Sequence, residues 1–171
     1  MNYAQMRKYD IANGPGIRSS LFVSGCTHGC KGCFNQAYMN FNYGKPWTED
    51  AKNEFIAMIK DEQVKGVTIL GGEPMDQLRD DDMLLLLQAI KGETGKNIWL
   101  YSGYTFEEIM SHPQRKKMLT YVDVLVDGRF EEGLKDFRLS FRGSSNQQII
   151  DVAQSLIANQ PIKIAKYHQT D

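Results

Sequence analysis

Three cysteines, Cys26, Cys30 and Cys33, fall within eight residues, and they are all the cysteines the chain has. Thiols spaced i, i+4, i+7 can converge on one inorganic centre. A loop that folds around such a centre restricts every element attached to it. Structural zinc sites and four-iron clusters each take four ligands, so three thiolates leave one position open. The fourth ligand is either His28 or a group that comes and goes. In the second case the site is catalytic. A Cys3His zinc site through His28 is the plainer alternative. Against it, His28 stands between the cysteines at a two-residue offset, and zinc ligands usually arrive as two pairs from separated segments. A disulfide with one free thiol fits poorly with an odd cysteine count and with a start, Met1 to Asp10, too polar and charged for a secretory segment.

A second motif bears on the same question. Val67-Thr68-Ile69-Leu70 is a short β-rich apolar run that reads as a buried strand, and it ends in Gly71-Gly72-Glu73-Pro74. Two glycines at the carboxyl end of a strand let backbone pass close to a ligand, and Glu73 offers a carboxylate for an amino group. Alone, the four residues read as an ordinary turn. Paired with the upstream cysteines, they resemble the radical S-adenosylmethionine superfamily. That resemblance implies a [4Fe-4S] cluster held by Cys26, Cys30 and Cys33. It also implies S-adenosyl-L-methionine on the fourth iron, with its amino group met by the Gly71, Gly72, Glu73, Pro74 strand end.

Further segments narrow the resemblance. Asn13-Gly14-Pro15-Gly16-Ile17-Arg18, ahead of the strand Ser19 to Val23, looks like the glycyl-radical-enzyme activases. The segments Trp99 to Thr105, Val124 to Phe130 and Arg142 to Gln147 are similar to the anaerobic ribonucleoside-triphosphate reductase activating proteins. The resemblance runs from about Asp10 to Ile150. One departure stands out. Where the superfamily usually has an aromatic residue before the third cysteine, this chain has Gly32, and the aromatic is Phe34, just after. The backbone of Gly32, Cys33 and Phe34 is therefore expected to flank the adenine.

The length of 171 residues suits a single domain spanning 1–171. A hydrophobic fraction of 42% and a net charge of −1 describe an ordinary soluble protein with no basic excess for nucleic acid. The longest purely apolar run, Met83 to Leu87, is too short to span a bilayer. The expected location is cytoplasmic, with no membrane partner.

Strand and helix signals alternate. Thr48 can cap a helix with the apolar face Ala51, Phe55, Ile56 and Ile59. Asp80–Ile90 reads as a helix with an acidic first turn, and Ile98–Tyr101 as a strand. Thr105 with Glu108 makes a capping box. Val122–Val126 reads as a strand, Asp151–Ala158 as a helix, and Ile162–Tyr167 as a strand-like tail. Such β-α units imply an α/β fold with a mostly parallel sheet. Four or five units are too few for a closed eight-unit barrel, and the resemblance implies a partial (β/α)6 barrel. Cys26, Glu73, Ser102 and Asp127 all follow the carboxyl ends of predicted strands, where ligands bind in α/β sheets.

Asp127 and Ser102 are candidate ribose ligands, although a capping aspartate and a turn serine are the simpler readings. Arg18 could bind a carboxylate or pair with a core acid. His28 reads as a loop histidine near the cluster, His112 as a surface residue, and Asp80 to Asp82 as a solvated helix start. The chain is short and has no spare segment to cap a substrate, so an open site suits a macromolecule that closes it with its own surface. The resemblance implies the large subunit of the anaerobic ribonucleotide reductase as protein substrate, and an external one-electron donor such as a flavodoxin. The competing readings are a radical enzyme acting on a small molecule such as a deazapurine precursor, and a non-enzymatic zinc or electron-transfer module. The Gly-Gly-Glu-Pro strand end is surplus to the second of these.

Overall fold

The computed structural model describes residues 1–169. Its strands are β1 (Asn2–Asp10), β2 (Arg18–Ser24), β3 (Lys45–Pro46), β4 (Gly66–Gly71), β5 (Asn97–Tyr101), β6 (Val124–Asp127) and β7 (Gln148–Asp151). Its helices are α1 (Glu49–Ile59), α2 (Asp82–Thr94), α3 (Phe106–Met110), α4 (Pro113–Leu119) and α5 (Val152–Ala158). All seven strands join one sheet in the order β3-β1-β2-β4-β5-β6-β7. The central strands β2, β4, β5 and β6 run parallel, and β1, β3 and β7 add antiparallel edges. The α/β class with a parallel centre is as expected. The parallel strands are joined by three helical crossovers, through α1, through α2, and through α3 with α4. The sheet is open, since β3 and β7 are its two ends.

Period-2 alternation sorts the residues of the central strands onto two faces. Leu21, Val23, Val67, Ile69, Ile98, Leu100 and Leu125 share a buried cluster with Phe55 and Ile59 of α1 and Leu86, Leu87 and Ile90 of α2. The opposite face carries a smaller cluster of Trp99, Val126 and Ile149, joined by Tyr101, Phe141, Ile164 and Tyr167. The apolar face expected of α1 is the buried one, and Thr48 Oγ1 accepts from the Ala51 N–H at 3.1 Å. Thr105 Oγ1 likewise accepts from the Glu108 N–H at 3.2 Å. Asp151 caps α5.

Several expectations are corrected. The polar start of the chain is β1, nine residues paired antiparallel with β2. Of these only Tyr3 and Asp10 are buried, so the strand shows no apolar alternation. The helix expected from Asp80 begins at Asp82, and its acidic start is not simply solvated. The Met1 amine lies 2.6 Å from Asp80 and 3.1 Å from Asp82. His112 is the N-cap of α4, half-buried, with Pro113 behind it. The tail 162–167 makes one bridge, Ile150 to Lys163, and then coils into a single turn, Ala165–Tyr167, instead of continuing as a strand. No helix among the described residues is long and apolar enough to cross a membrane.

Candidate iron–sulfur site

The register of the parallel strands brings the candidate residues to one edge of the sheet. Val23 of β2 lies beside Gly71 of β4, and Tyr101 of β5 lies beside Val126 of β6. Cys26 follows the end of β2, Glu73 that of β4 and Ser102 that of β5, while Asp127 closes β6. The cysteine segment is a closed loop. The Gly25 N–H donates to the Tyr38 carbonyl at 2.7 Å and the Cys26 N–H to that of Met39 at 3.0 Å. Inside it, the Cys33 N–H donates to the Cys30 carbonyl at 3.2 Å, so the last two cysteines share a turn. All three cysteines are free and half-buried.

The loop is fastened to the neighbouring strand end. The Gly72 N–H donates to the Val23 carbonyl and the Glu73 N–H to the Gly25 carbonyl, both at 2.8 Å. Gln77 adds a three-way bridge, its side-chain amide donating to the carbonyls of Ser24, Gly25 and Glu73 at 3.1–3.2 Å. Both glycines of the strand end are required by the protein's own backbone. A Cβ at Gly71, whose φ is +113°, would lie 2.5 Å from the Val23 backbone. A Cβ at Gly72 would lie 2.6 Å from the carbonyl oxygens of Gly25 and Tyr38. Pro74 is buried and opens the short turn Pro74–Asp76.

Glu73 is almost wholly enclosed, at 1% exposure. Its Oε1 accepts from the Gly103 N–H at 2.6 Å and its Oε2 from the Met75 N–H at 2.9 Å. His28 Nε2 lies 2.6 Å from Oε1, and His28 Nδ1 accepts from Arg129 Nε at 3.0 Å. His28 is thus a member of the site and not a bystander of the loop. Both its ring nitrogens are engaged by protein groups. The Cys26 sulfur, a His28 nitrogen and an Asp76 oxygen lie within 4.8 Å of one another.

Asp76 is a site residue that sequence reasoning missed. One oxygen accepts from the backbone N–H and the hydroxyl of Thr27, both at 2.9 Å, and so pins the residue after Cys26. The other accepts from the Tyr104 hydroxyl at 2.5 Å and faces Arg115 at 3.3 Å. No local pattern marks it, because its partners lie 28 to 49 residues away.

The remaining candidates are placed as follows. Ser102 is buried, and its Oγ accepts from the Tyr104 N–H at 3.1 Å. Asp127 is buried at 4% exposure, and its Oδ2 accepts from the Phe106 N–H at the start of α3. Burial pushes the Asp127 carboxyl up to about 6. The turn and capping contacts are therefore real for both residues. Gly32 takes φ +73°, with the Glu132 side chain above it. Phe34 is 61% exposed and its ring lies 5.0 Å from that of Phe130. Arg18 meets no carboxylate among the described residues; its guanidinium is buried against Thr68, Asn97 and two carbonyls.

The donor set suits an iron–sulfur cluster. Burial pushes the Cys26 thiol up to about 11, and the charges of Glu73, Asp76 and Cys30 add to the effect. Burial and the neighbouring Cys33 raise Cys30 as well. The ligand atoms that lie within 4.8 Å of one another are those of Cys26, His28 and Asp76 and not the three thiols, but Cys30 is felt by Cys26 and Cys33 by Cys30, and a cationic centre in this loop would deprotonate its thiols outright.

Residues 12–150 match the family described as a 4Fe-4S single cluster domain. The anaerobic ribonucleoside-triphosphate reductase-activating protein of Vibrio cholerae is 43% identical over 152 residues, 87% of this chain and 97% of the relative. The protein of the same name from Escherichia coli K12 is 41% identical over the same shares. That of enterobacteria phage T4 is 37% identical over 150 residues, 87% of this chain and 93% of its own. The aligned stretch takes in most of the sheet and the cysteine loop, and on that ground the chain belongs to the family of anaerobic ribonucleoside-triphosphate reductase-activating proteins.

Proposed function

We propose that this protein is a radical S-adenosylmethionine activase of the anaerobic ribonucleotide reductase. In this reading Cys26, Cys30 and Cys33 hold a [4Fe-4S] cluster. Gly71, Gly72, Glu73 and Pro74 receive the cofactor's amino-acid end, Ser102 and Asp127 its ribose, and Gly32, Cys33 and Phe34 its adenine. One observation carries the reading: the Glu73 N–H is bonded to the Gly25 carbonyl, which fastens the acid-bearing strand end to the cysteine loop. Cys26, Cys30 and Cys33 would hold the cluster, which when bound would supply the one-electron reduction of S-adenosylmethionine that underlies hydrogen-atom removal from a glycine of the reductase.

The chain's residues bind and orient. The Glu73 carboxylate is oriented by two backbone N–H groups, and His28 Nε2 at 2.6 Å holds the place at Oε1 that the cofactor's ammonium would take. Asp76 and Gln77 hold the cysteine loop against that strand end. The half-exposed Cys30 and Cys33 give an external one-electron donor, such as a flavodoxin, a short path in. The four parallel strands are read as the core of a partial (β/α)6 barrel in one domain. Its open edge suits a protein substrate, and a cytoplasmic setting suits three free thiols.

The test starts from anaerobically reconstituted protein. Iron and sulfide analysis should give one four-iron cluster per chain, lost on changing any one of the three cysteines to alanine. Reduced protein with S-adenosylmethionine should release methionine and 5′-deoxyadenosine. With the reductase present, an organic radical should appear on the reductase by electron paramagnetic resonance. Deuterium on the reductase's glycine should move into 5′-deoxyadenosine. Stoichiometric zinc without iron, or turnover of a small molecule with no deuterium transfer, would overturn the reading. Glu73→Gln should weaken S-adenosylmethionine binding about tenfold or more with the cluster retained, since a charge-assisted hydrogen bond is worth roughly 1.5–3 kcal/mol.

A further inference from the structure

A second concavity lies at the opposite end of the parallel strands. It is formed where β2, β4, β5 and β6 begin, with Arg18, Asn97 and Val124 as their first residues and Lys65 just before β4. Its volume is about 300 Å³. Arg18 and Cys26 stand at opposite ends of β2, about 20 Å apart at the usual rise of a strand. The cavity is therefore separate from the cysteine loop.

Its chemistry is one-sided. Arg18, Lys65 and Lys166 line it, and no acidic residue does among the described residues. Arg18 is 1% exposed, and its hydrogen-bond partners are all neutral. Its Nε donates to Thr68 Oγ1, one Nη to the Pro15 carbonyl, and the other Nη to the Val67 carbonyl and to Asn97 Oδ1, all within 3.1 Å. A guanidinium carries five N–H groups, so one on Nη1 is left over. None of the three cations forms an ion pair among the described residues. Burial pulls the Arg18 guanidinium down to about 10, and the more distant Asp10 and Asp123 offset this only in part. A buried cation without a counter-charge is costly and calls for an anion.

The remaining walls are apolar. Trp99 lies under the guanidinium at 5.5 Å, and Tyr167 packs edge-on to it at 5.5 Å. Val124 and Ile164 complete the lining. The segment Gly14 to Arg18 leads into the cavity, with Pro15 and Arg18 in its lining. Gly14 is held close there, since a Cβ on it would meet Arg18 at 2.9 Å.

We propose that this cavity is a binding site for a small organic phosphate, its phosphate held by Arg18, Lys65 and Lys166 and its apolar body against Trp99 and Tyr167. A dianionic phosphate answers three cations better than a singly charged carboxylate does, and the one remaining Nη1 N–H of Arg18 gives it a charge-assisted hydrogen bond. The volume admits a compact ligand. The site does not depend on the activase reading.

Isothermal titration calorimetry on the cluster-loaded protein, at constant ionic strength, tests this with phenyl phosphate, inorganic phosphate and benzoate. Phenyl phosphate should bind saturably at one per chain, roughly tenfold or more tighter than either partial analogue. Because an Arg18 variant would disturb the core, the cations are tested through the exposed Lys65 and Lys166. The Lys65→Ala/Lys166→Ala double variant should lose about tenfold in affinity with unchanged iron content. Saturable binding of none of the three, or an unchanged affinity in the double variant, would overturn the site. Tighter binding of inorganic phosphate than of phenyl phosphate would overturn the organic ligand.

Discussion

Asp127 shows how one residue can serve local structure while carrying a cost that function explains. Its carboxylate caps α3 through the Phe106 N–H, yet burial raises its carboxyl from 3.8 to about 6. Below pH 4 the group is protonated in both the folded and unfolded chain and costs nothing. Between about pH 4 and 6 the unfolded chain ionises this acid while the folded protein keeps it protonated, so stability falls, and above pH 6 the penalty is constant. At neutral pH the penalty is on the order of 3 kcal/mol. Asp127→Asn keeps an acceptor for Phe106 and removes the charge. Its unfolding free energy in urea should rise by about 1–3 kcal/mol at pH 8, and the gain should shrink to about half at pH 5. A gain independent of pH would locate the effect elsewhere. If the asparagine variant is both more stable and weaker for S-adenosylmethionine, the acid is kept for binding and not for the fold.

At the scale of elements, helix starts follow a simple chemistry. Thr48, Thr105 and Asp151 each accept an N–H from the first turn behind them. Removing one such acceptor exposes an unsatisfied donor. Thr48→Ala should lower stability by about 1 kcal/mol, read from the urea midpoint at unchanged slope, with the iron content per chain unaltered. Lost iron would mean that the start of α1 supports the cysteine loop. α4 meets the same need with an unusual residue, His112 Nδ1 accepting from the Arg115 N–H at 3.5 Å. Its cap is His112, its first turn holds no acid, and only Met118 and Leu119 are buried. Strand β1 is similarly quiet, because its outer face remains partly exposed between β2 and the two-residue β3. Both elements exist by virtue of what they pack against.

The whole molecule turns on the junction between β2 and β4. There the cysteine loop and the Glu73 strand end are joined by backbone hydrogen bonds and by Gln77. Gly71 sits at this junction with φ +113° and Val23 backbone 2.5 Å from where a Cβ would be. Gly71→Ala should therefore cost roughly 2–4 kcal/mol and impair assembly of the cluster. Gly92→Ala provides the contrast. Gly92 lies inside α2 with open space where its Cβ would go, so alanine there should stabilise by up to about 1 kcal/mol and leave iron loading untouched. Equal effects of the two substitutions, in melting temperature and in iron per chain, would show that the junction is not the weak point.

What the sequence determined by itself is what spacing along one chain can encode. The i, i+4, i+7 thiols, the two glycines and acid after a β-rich run, the 3.6-residue face of α1 and the threonine caps are local relations, and of these the helix face, the caps and the strand ahead of the glycines were found where expected. Tertiary structure alone decided the partners of buried polar groups. Asp76 with Thr27, His28 with Glu73 and Arg18 with Thr68 and Asn97 join residues 45 to 79 positions apart. Tertiary structure also placed β1 and β7 at the antiparallel edges and gathered three cations at the amino ends of the parallel strands. The physical reason is that a buried polar group must find a partner, whereas the chain's local pattern specifies only that it is polar. Which distant group answers it is settled when the strands choose their neighbours.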